Sequence, residues 1–260
     1  MKIIRILLAV LVVHFCSACF EVGVLVHVKP DGSGTIEQSV SVSTAMLAQA
    51  KLLGGDKGKA PTEINEEELR AAALALGEGV TFVGAKKIEQ EGREGYTATF
   101  AFTDIGRIHL DLSKMGQAAG PGVEGKSLTV GFKKGNPSEL VLSMPKTDAK
   151  DQEKLKAAQT PEMEAMAEQM LPMMAQMFKG ARMRVELEFE GAIVDTNATH
   201  REGSRITFMD VEFDKIMADP AKFKVLSKVK DPTSPEAREL LKGMPGVKVE
   251  TENPIRVRFQ

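Results

Sequence analysis

The chain has 260 residues, 43% of them apolar, and a formal net charge of −2. That is enough apolar material for one large core or two small ones, and neither the even charge balance nor any basic run points to a nucleic-acid partner. With 5% aromatic residues, no Trp and a single Tyr at position 96, the stacking platforms that bind bases or sugars are scarce.

Lys2 and Arg5 are followed by an apolar run from Ile6 to Phe15, interrupted by His14, and then by Cys16-Ser17-Ala18-Cys19. A basic start, an apolar core of about 7 to 15 residues and small residues before a cut describe a secretory signal. The run falls short of the roughly 20 apolar residues of a transmembrane helix. Ser17, Ala18 and Cys19 resemble the bacterial lipobox, with Cys16 where Leu is usual. The resemblance implies cleavage before Cys19 by the lipoprotein processing enzymes, diacylglycerol on its sulfur, and acylation of the new amino terminus by chains such as palmitate. Residues 1–18 are therefore predicted to be a cleaved lipoprotein signal peptide and 19–260 one envelope domain. Loss of Lys2 and Arg5 leaves a mature charge of −4, and no disulfide is available although the compartment is oxidising.

A single acyl chain holds only marginally at about 0.8 kcal/mol per buried methylene, so two or three make the membrane anchor stable. Phe20 stands where Asp would resemble an inner-membrane retention signal. In a cell with two membranes the expected place is the outer one, facing the periplasm. No Ser/Gly/Pro-rich spacer follows Cys19, so the domain is expected to sit against the membrane.

Val22, Val24, Val26 and Val28 alternate with Glu21, Gly23, Leu25 and His27, the period of a strand. Pro30-Asp31-Gly32-Ser33-Gly34 breaks the pattern and Ile36, Val40 and Val42 resume it, so 21–43 reads as a β-hairpin. Thr44 is read as the N-cap of a short helix ending at Gly54-Gly55, and Gly54 to Thr62 as a loop. Asn65 caps a predicted helix from Glu66 to Leu76, whose opening Glu triplet suits the positive end of the helix dipole and reads as solvated surface, not a metal site.

Strands are predicted over Val80–Ile88, Tyr96–Thr103 and Arg107–Leu112. After a Gly-rich loop, Leu128–Lys133 and Glu139–Met144 flank a Gly135-Asn136-Pro137 turn. Thr147 to Phe178 is predicted helical, with Pro161 placed to begin a second helix. Met183, Val185, Leu187 and Phe189 alternate with Arg182, Arg184, Glu186 and Glu188, and Arg205–Phe213 answers them across a turn at Gly203. Pro220, Pro232 and Pro235 punctuate short helices, and Ile255, Val257 and Phe259 close the chain as a strand. One-sided alternation in most strands predicts an α+β fold: a mostly antiparallel sheet with helices packed on one face.

Gly120 to Ser127 matches the phosphate-loop string G-x-x-x-x-G-K-S, but such a loop must open a helix and the residues after Ser127 read as a strand. It is read as a turn, with no nucleotide site. Asp31-Gly32-Ser33-Gly34 lacks the spacing and the strand-to-helix setting of a nucleophile elbow. His27, His109 and His200 are scattered, without a Cys pair or H-E-x-x-H, so no metal site, cofactor or catalytic set is expected.

Met163, Met166, Met170, Met173, Met174 and Met177 recur at helical spacing, with Pro172 placed to kink the helix. Such a stripe ordinarily packs as core. As a functional surface, its flexible thioethers suit acyl chains or the membrane itself.

The lipobox followed directly by a Pro30–Gly34 hairpin resembles the LppM-type bacterial lipoprotein domain, with further likeness through Gly95-Tyr96 to Phe102. The resemblance covers about a third of the chain and implies a curved β-sheet domain with lipid binding as a role; it supplies no catalytic residues. The resulting expectation is a membrane-anchored, non-catalytic envelope lipoprotein that holds lipid or another apolar ligand between its sheet and the Met-rich helix. A structural lipoprotein that binds other envelope proteins is the alternative, and an enzyme comes third.

Overall fold

The computed structural model describes residues 20–52, 62–90, 92–111, 127–144, 169, 178, 180–219, 221 and 235–260. In chain order these form β1 (Phe20–Val28), β2 (Gly34–Ser43), α1 (Thr44–Leu52), α2 (Glu66–Leu76), β3 (Thr81–Gln90) and β4 (Arg93–Phe102). A 3-10 turn (Ile105–Arg107) leads to β5 (Leu110–Asp111), β6 (Ser127–Lys133), β7 (Ser138–Ser143) and β8 (Arg182–Phe189). Then come β9 (Ile193–Thr196), β10 (Arg201–Glu202), β11 (Arg205–Glu212), α3 (Phe213–Met217), α4 (Pro235–Leu241), β12 (Val247–Val249) and β13 (Ile255–Phe259).

The predicted hairpin is present, with Val26 opposite Ile36 and Phe20 opposite Val42. Its turn is specified residue by residue. The Asp31 carboxylate accepts from the Ser33 amide (3.0 Å) and hydroxyl (2.7 Å), and Gly32 takes φ +88°. A Cβ at Gly32 would overlap the Phe132 ring, and one at Gly34 would overlap the His27 carbonyl. The tip docks on β7, where the Ser138 hydroxyl donates to the Pro30 carbonyl at 2.7 Å.

The strands form two sheets. The larger has eight, in the order β10-β11-β8-β1-β2-β4-β3 with β12 beside β11; the smaller has five, β5-β6-β7-β13-β9. Pairing is antiparallel except between β1 and β8, which run parallel with Val24 opposite Val185. The five-stranded sheet packs against the apolar face of the larger one, beside α2, and the helical region expected over Thr147 to Phe178 lies, but for residues 169 and 178, outside the described residues. Val26, Val28, Ile36, Phe100, Leu187 and Phe189 of one sheet share a core with Leu140, Leu142, Ile255, Val257 and Phe259 of the other. One-sided alternation describes a sheet packed on a sheet as well as a sheet under helices. Of the helices, α2 adds Leu69 and Ala73 to this core, and α3 and α4 build a smaller cluster around Ile216 and Leu241. The fold is β-rich α+β.

Local departures have local causes. The Ser43 hydroxyl, one residue before the expected cap, accepts from the Met46 amide at 3.2 Å and starts α1. Asn65 caps α2 as predicted, accepting from Glu67 N and Glu68 N and donating to the Glu68 carboxylate at 2.7 Å. The strand expected over Arg107–Leu112 is split, because the Asp104 side chain accepts from Gly106 N and winds Ile105–Arg107 into a 3-10 turn. Ile108 and Leu110 remain buried.

Candidate functional site

The second face of the eight-stranded sheet carries a ladder of charged side chains. Alternation in β8 sends Met183, Val185, Leu187 and Phe189 into the core and leaves Arg182, Arg184, Glu186 and Glu188 on this face. The register sets them beside Glu21 to His27 of β1 and beside Arg205 to Glu212 of β11. Arg182 donates to both Asp210 oxygens, at 2.8 and 2.6 Å. Arg184 lies 3.8 Å from Asp210 and 4.0 Å from Glu186, and Arg205 is 3.6 Å from Glu186 and 3.0 Å from Glu188. His27 Nδ1 is 3.2 Å from Glu188, and its Nε2 is 4.0 Å from Glu37 on β2. Opposite charges thus pair between β8 and β11, and His27 of β1 stands between Glu188 and Glu37.

Burial alone would push the Asp210 carboxyl up, but hydrogen bonds and charge from Arg182, helped by Arg184 and Lys248, outweigh it and hold it below 3.8. The same hydrogen bonds raise Arg182. Both are held in their charged forms, which is the behaviour of a fixed ion pair; acid–base catalysis needs a group poised to exchange its proton near the working pH.

At the Val28 end of β1 the face opens into a cleft of about 270 Å³ lined by His27, Lys29, Thr35, Glu188, Phe189 and Glu190. At the Phe20 end three rings meet: Phe178 lies edge-on to Phe20 at 5.8 Å and stacks on Phe213 at 5.3 Å. Arg93 closes this end, donating to the Ser41 hydroxyl at 2.8 Å and lying 3.5 Å from Glu21.

No protein-family model matches this chain, and no curated protein matches it. A solved structure, the NMR structure of the folded domain of LppM from Mycobacterium tuberculosis, is similar over 95% of this chain and 94% of its own, with 11% identity and a TM-score of 0.34. A likeness at that score carries no argument about this chain.

Cys19 and the six methionines Met163, Met166, Met170, Met173, Met174 and Met177 lie outside the described residues, as do Gly120 to Lys126. Ser127 begins β6, so a strand follows the phosphate-loop string where such a loop needs a helix. His27 lines the cleft, whereas His109 is exposed beside β5 and His200 precedes β10. Among the described residues no group of three or more His, Cys, Asp or Glu is arranged to hold a metal ion. The Asp31–Ser33 hydrogen bonds are internal to the hairpin turn.

The ladder from Asp210 to Glu37 was missed as a unit. Its signal was the Arg-Arg-Glu-Glu series at positions 182, 184, 186 and 188, which gives one face of a strand but not the strands beside it.

Proposed function

We propose that this chain is a non-catalytic envelope lipoprotein, anchored through acyl chains on Cys19, whose β domain acts through its surfaces while held directly against the membrane. The observation that carries this reading is the position of β1. Phe20, the residue after Cys19, already pairs with Val42, and β1 lies between β8 and β2 inside the larger sheet. An anchor on Cys19 therefore leads without slack into an interior strand, so the sheet cannot swing away from the bilayer as it would on a flexible tether. Among the described residues no helix is long and apolar enough to cross a membrane. The secretory signal, the lipobox-like Ser17-Ala18-Cys19 and the LppM-type hairpin at Pro30–Gly34 support the same reading.

Holding an apolar ligand is the finer part of the proposal. Because Val26, Val28, Ile36, Phe100, Leu187 and Phe189 already share a core with the five-stranded sheet, a ligand held by Met163 to Met177 needs a place outside that shared core.

Fatty-acid labelling in cells tests the anchor. Cys16→Ser should keep the label and Cys19→Ser should lose it, because Ala18 suits the position before the cut whereas Phe15 does not. Label retained by Cys19→Ser would contradict the reading.

A further inference from the structure

The Phe20 end of the larger sheet carries a second apolar feature. Phe20 is opposite Val42, two residues before α1 begins at Thr44. With strands about 4.8 Å apart and a rise of about 3.4 Å per residue, α1 starts about 8 Å from Phe20. Cys19 is one peptide step further, about 3.8 Å between Cα atoms.

The helix opens Thr44-Ala45-Met46-Leu47-Ala48, without a charged residue. Thr44, Ala45, Met46 and Ala48 are exposed and Leu47 is half-buried, with Met46 at 36% among the exposed large apolar residues. A surface helix ordinarily turns charged residues outward; this stretch instead exposes Ala45, Met46 and Ala48. Phe20 and Phe213, both half-buried around Phe178, sit at the same end. Three ion pairs lie at this end: Arg93 with Glu21 at 3.5 Å, Arg182 with Asp210 at 2.6 Å and Lys215 with Glu212 at 2.9 Å.

We propose that the exposed opening of α1, together with Phe20 and Phe213, is a membrane-contact surface that lies in the lipid interface beside the anchor. The inference rests on the reading of Cys19 as the acylated residue, because that attachment point decides the occupant. A surface within about 8 Å of an acylated residue's neighbour, with no spacer between, meets lipid before it meets another protein. Inserted apolar side chains add to the hold of the acyl chains, and aromatic rings suit the headgroup level. Because the contacting residues Thr44 to Ala48, Phe20 and Phe213 are uncharged, the contact does not depend on anionic lipid.

The chain has no Trp, so Met46→Trp or Ala45→Trp places a single fluorescent reporter on α1 of the full, acylated protein. Val194→Trp is the control, since Val194 is exposed on β9 of the other sheet, beyond the Val28 end of β1. Each variant is checked for the fatty-acid label and reconstituted into phosphatidylcholine vesicles, with brominated phosphatidylcholine as quencher.

Both α1 reporters should shift to the blue and lose the greater part of their emission, while Val194→Trp loses little. Neither salt nor added phosphatidylglycerol should change this. Two α1 reporters that emit as in water and are quenched no more than Val194→Trp, on labelled protein, would overturn the inference alone. Quenching that requires phosphatidylglycerol would also overturn it. Absence of the label would remove the anchor reading and this inference together.

Discussion

Asp210 sits on the polar face with its side chain 11% exposed, against 32% for Arg182. Because its carboxyl titrates below 3.8 when folded, the stabilisation from the pair is fully present above 3.8 and is lost as pH falls through the lower folded value. Asp210→Asn should cost about 1.5–3 kcal/mol at neutral pH, the range for hydrogen bonds to charged groups. Urea denaturation at pH 7 and in strong acid checks the sign: the gap between the two proteins should close in acid. Equal stability at neutral pH, or a gap that persists undiminished in acid, would contradict the assignment.

At this scale the hairpin turn was legible, because Asp, Gly and Ser at fixed offsets name their own backbone partners. Glu250 was not. It is fully buried and accepts from Thr199 N and Oγ1, Thr251 N and Glu252 N at 2.8–2.9 Å. Lys248-Val249-Glu250-Thr251-Glu252 has the composition of a surface segment, and Thr199 lies 51 residues away in sequence.

Strands announced themselves through period two: the apolar residues of β1, β8 and β13 are those expected from their alternation. Their partners did not, because pairing is decided by contacts distant in the chain. The parallel β1–β8 pair joins residues about 160 apart, and local pattern carries no trace of it. β9 is four residues long, too short for a period to register. The chain reaches it by leaving β8 at Phe189 and turning at Gly191, with φ +100°, against the backbone of Gln260.

This topology orders the elements by protection. β1 and β8 are paired on both sides, while β3 pairs with β4 alone among the described strands. Hydrogen-exchange mass spectrometry should find the amides of β1 and β8 among the slowest and those of β3 and α1 faster. A β1 peptide that exchanges as fast as β3 would contradict the order of strands.

For the whole molecule, the decisive feature is that one apolar sheet face meets another. Phe189 of β8 and Phe259 of β13 join the sheets, with ring centroids 4.6 Å apart and both side chains buried. Phe259→Ala should cost about 3–5 kcal/mol by opening a cavity between the sheets. A denaturation midpoint equal to that of the unaltered protein would show that the C-terminal strand is not part of the shared core. The second sheet was not legible because β5 to β7, β9 and β13 come from three separated stretches, each of which reads alone as an extension of a single sheet.

The anchor is the claim on which the functional account depends, since the position of Phe20 matters to the membrane only if Cys19 carries the lipid. Mass spectrometry of the N-terminal peptide from protein purified out of the membrane fraction tests it most directly. The expected peptide begins at Cys19 and carries diacylglycerol on the sulfur; a peptide that retains residues 1–18, or one with an unmodified Cys19, would overturn the anchor.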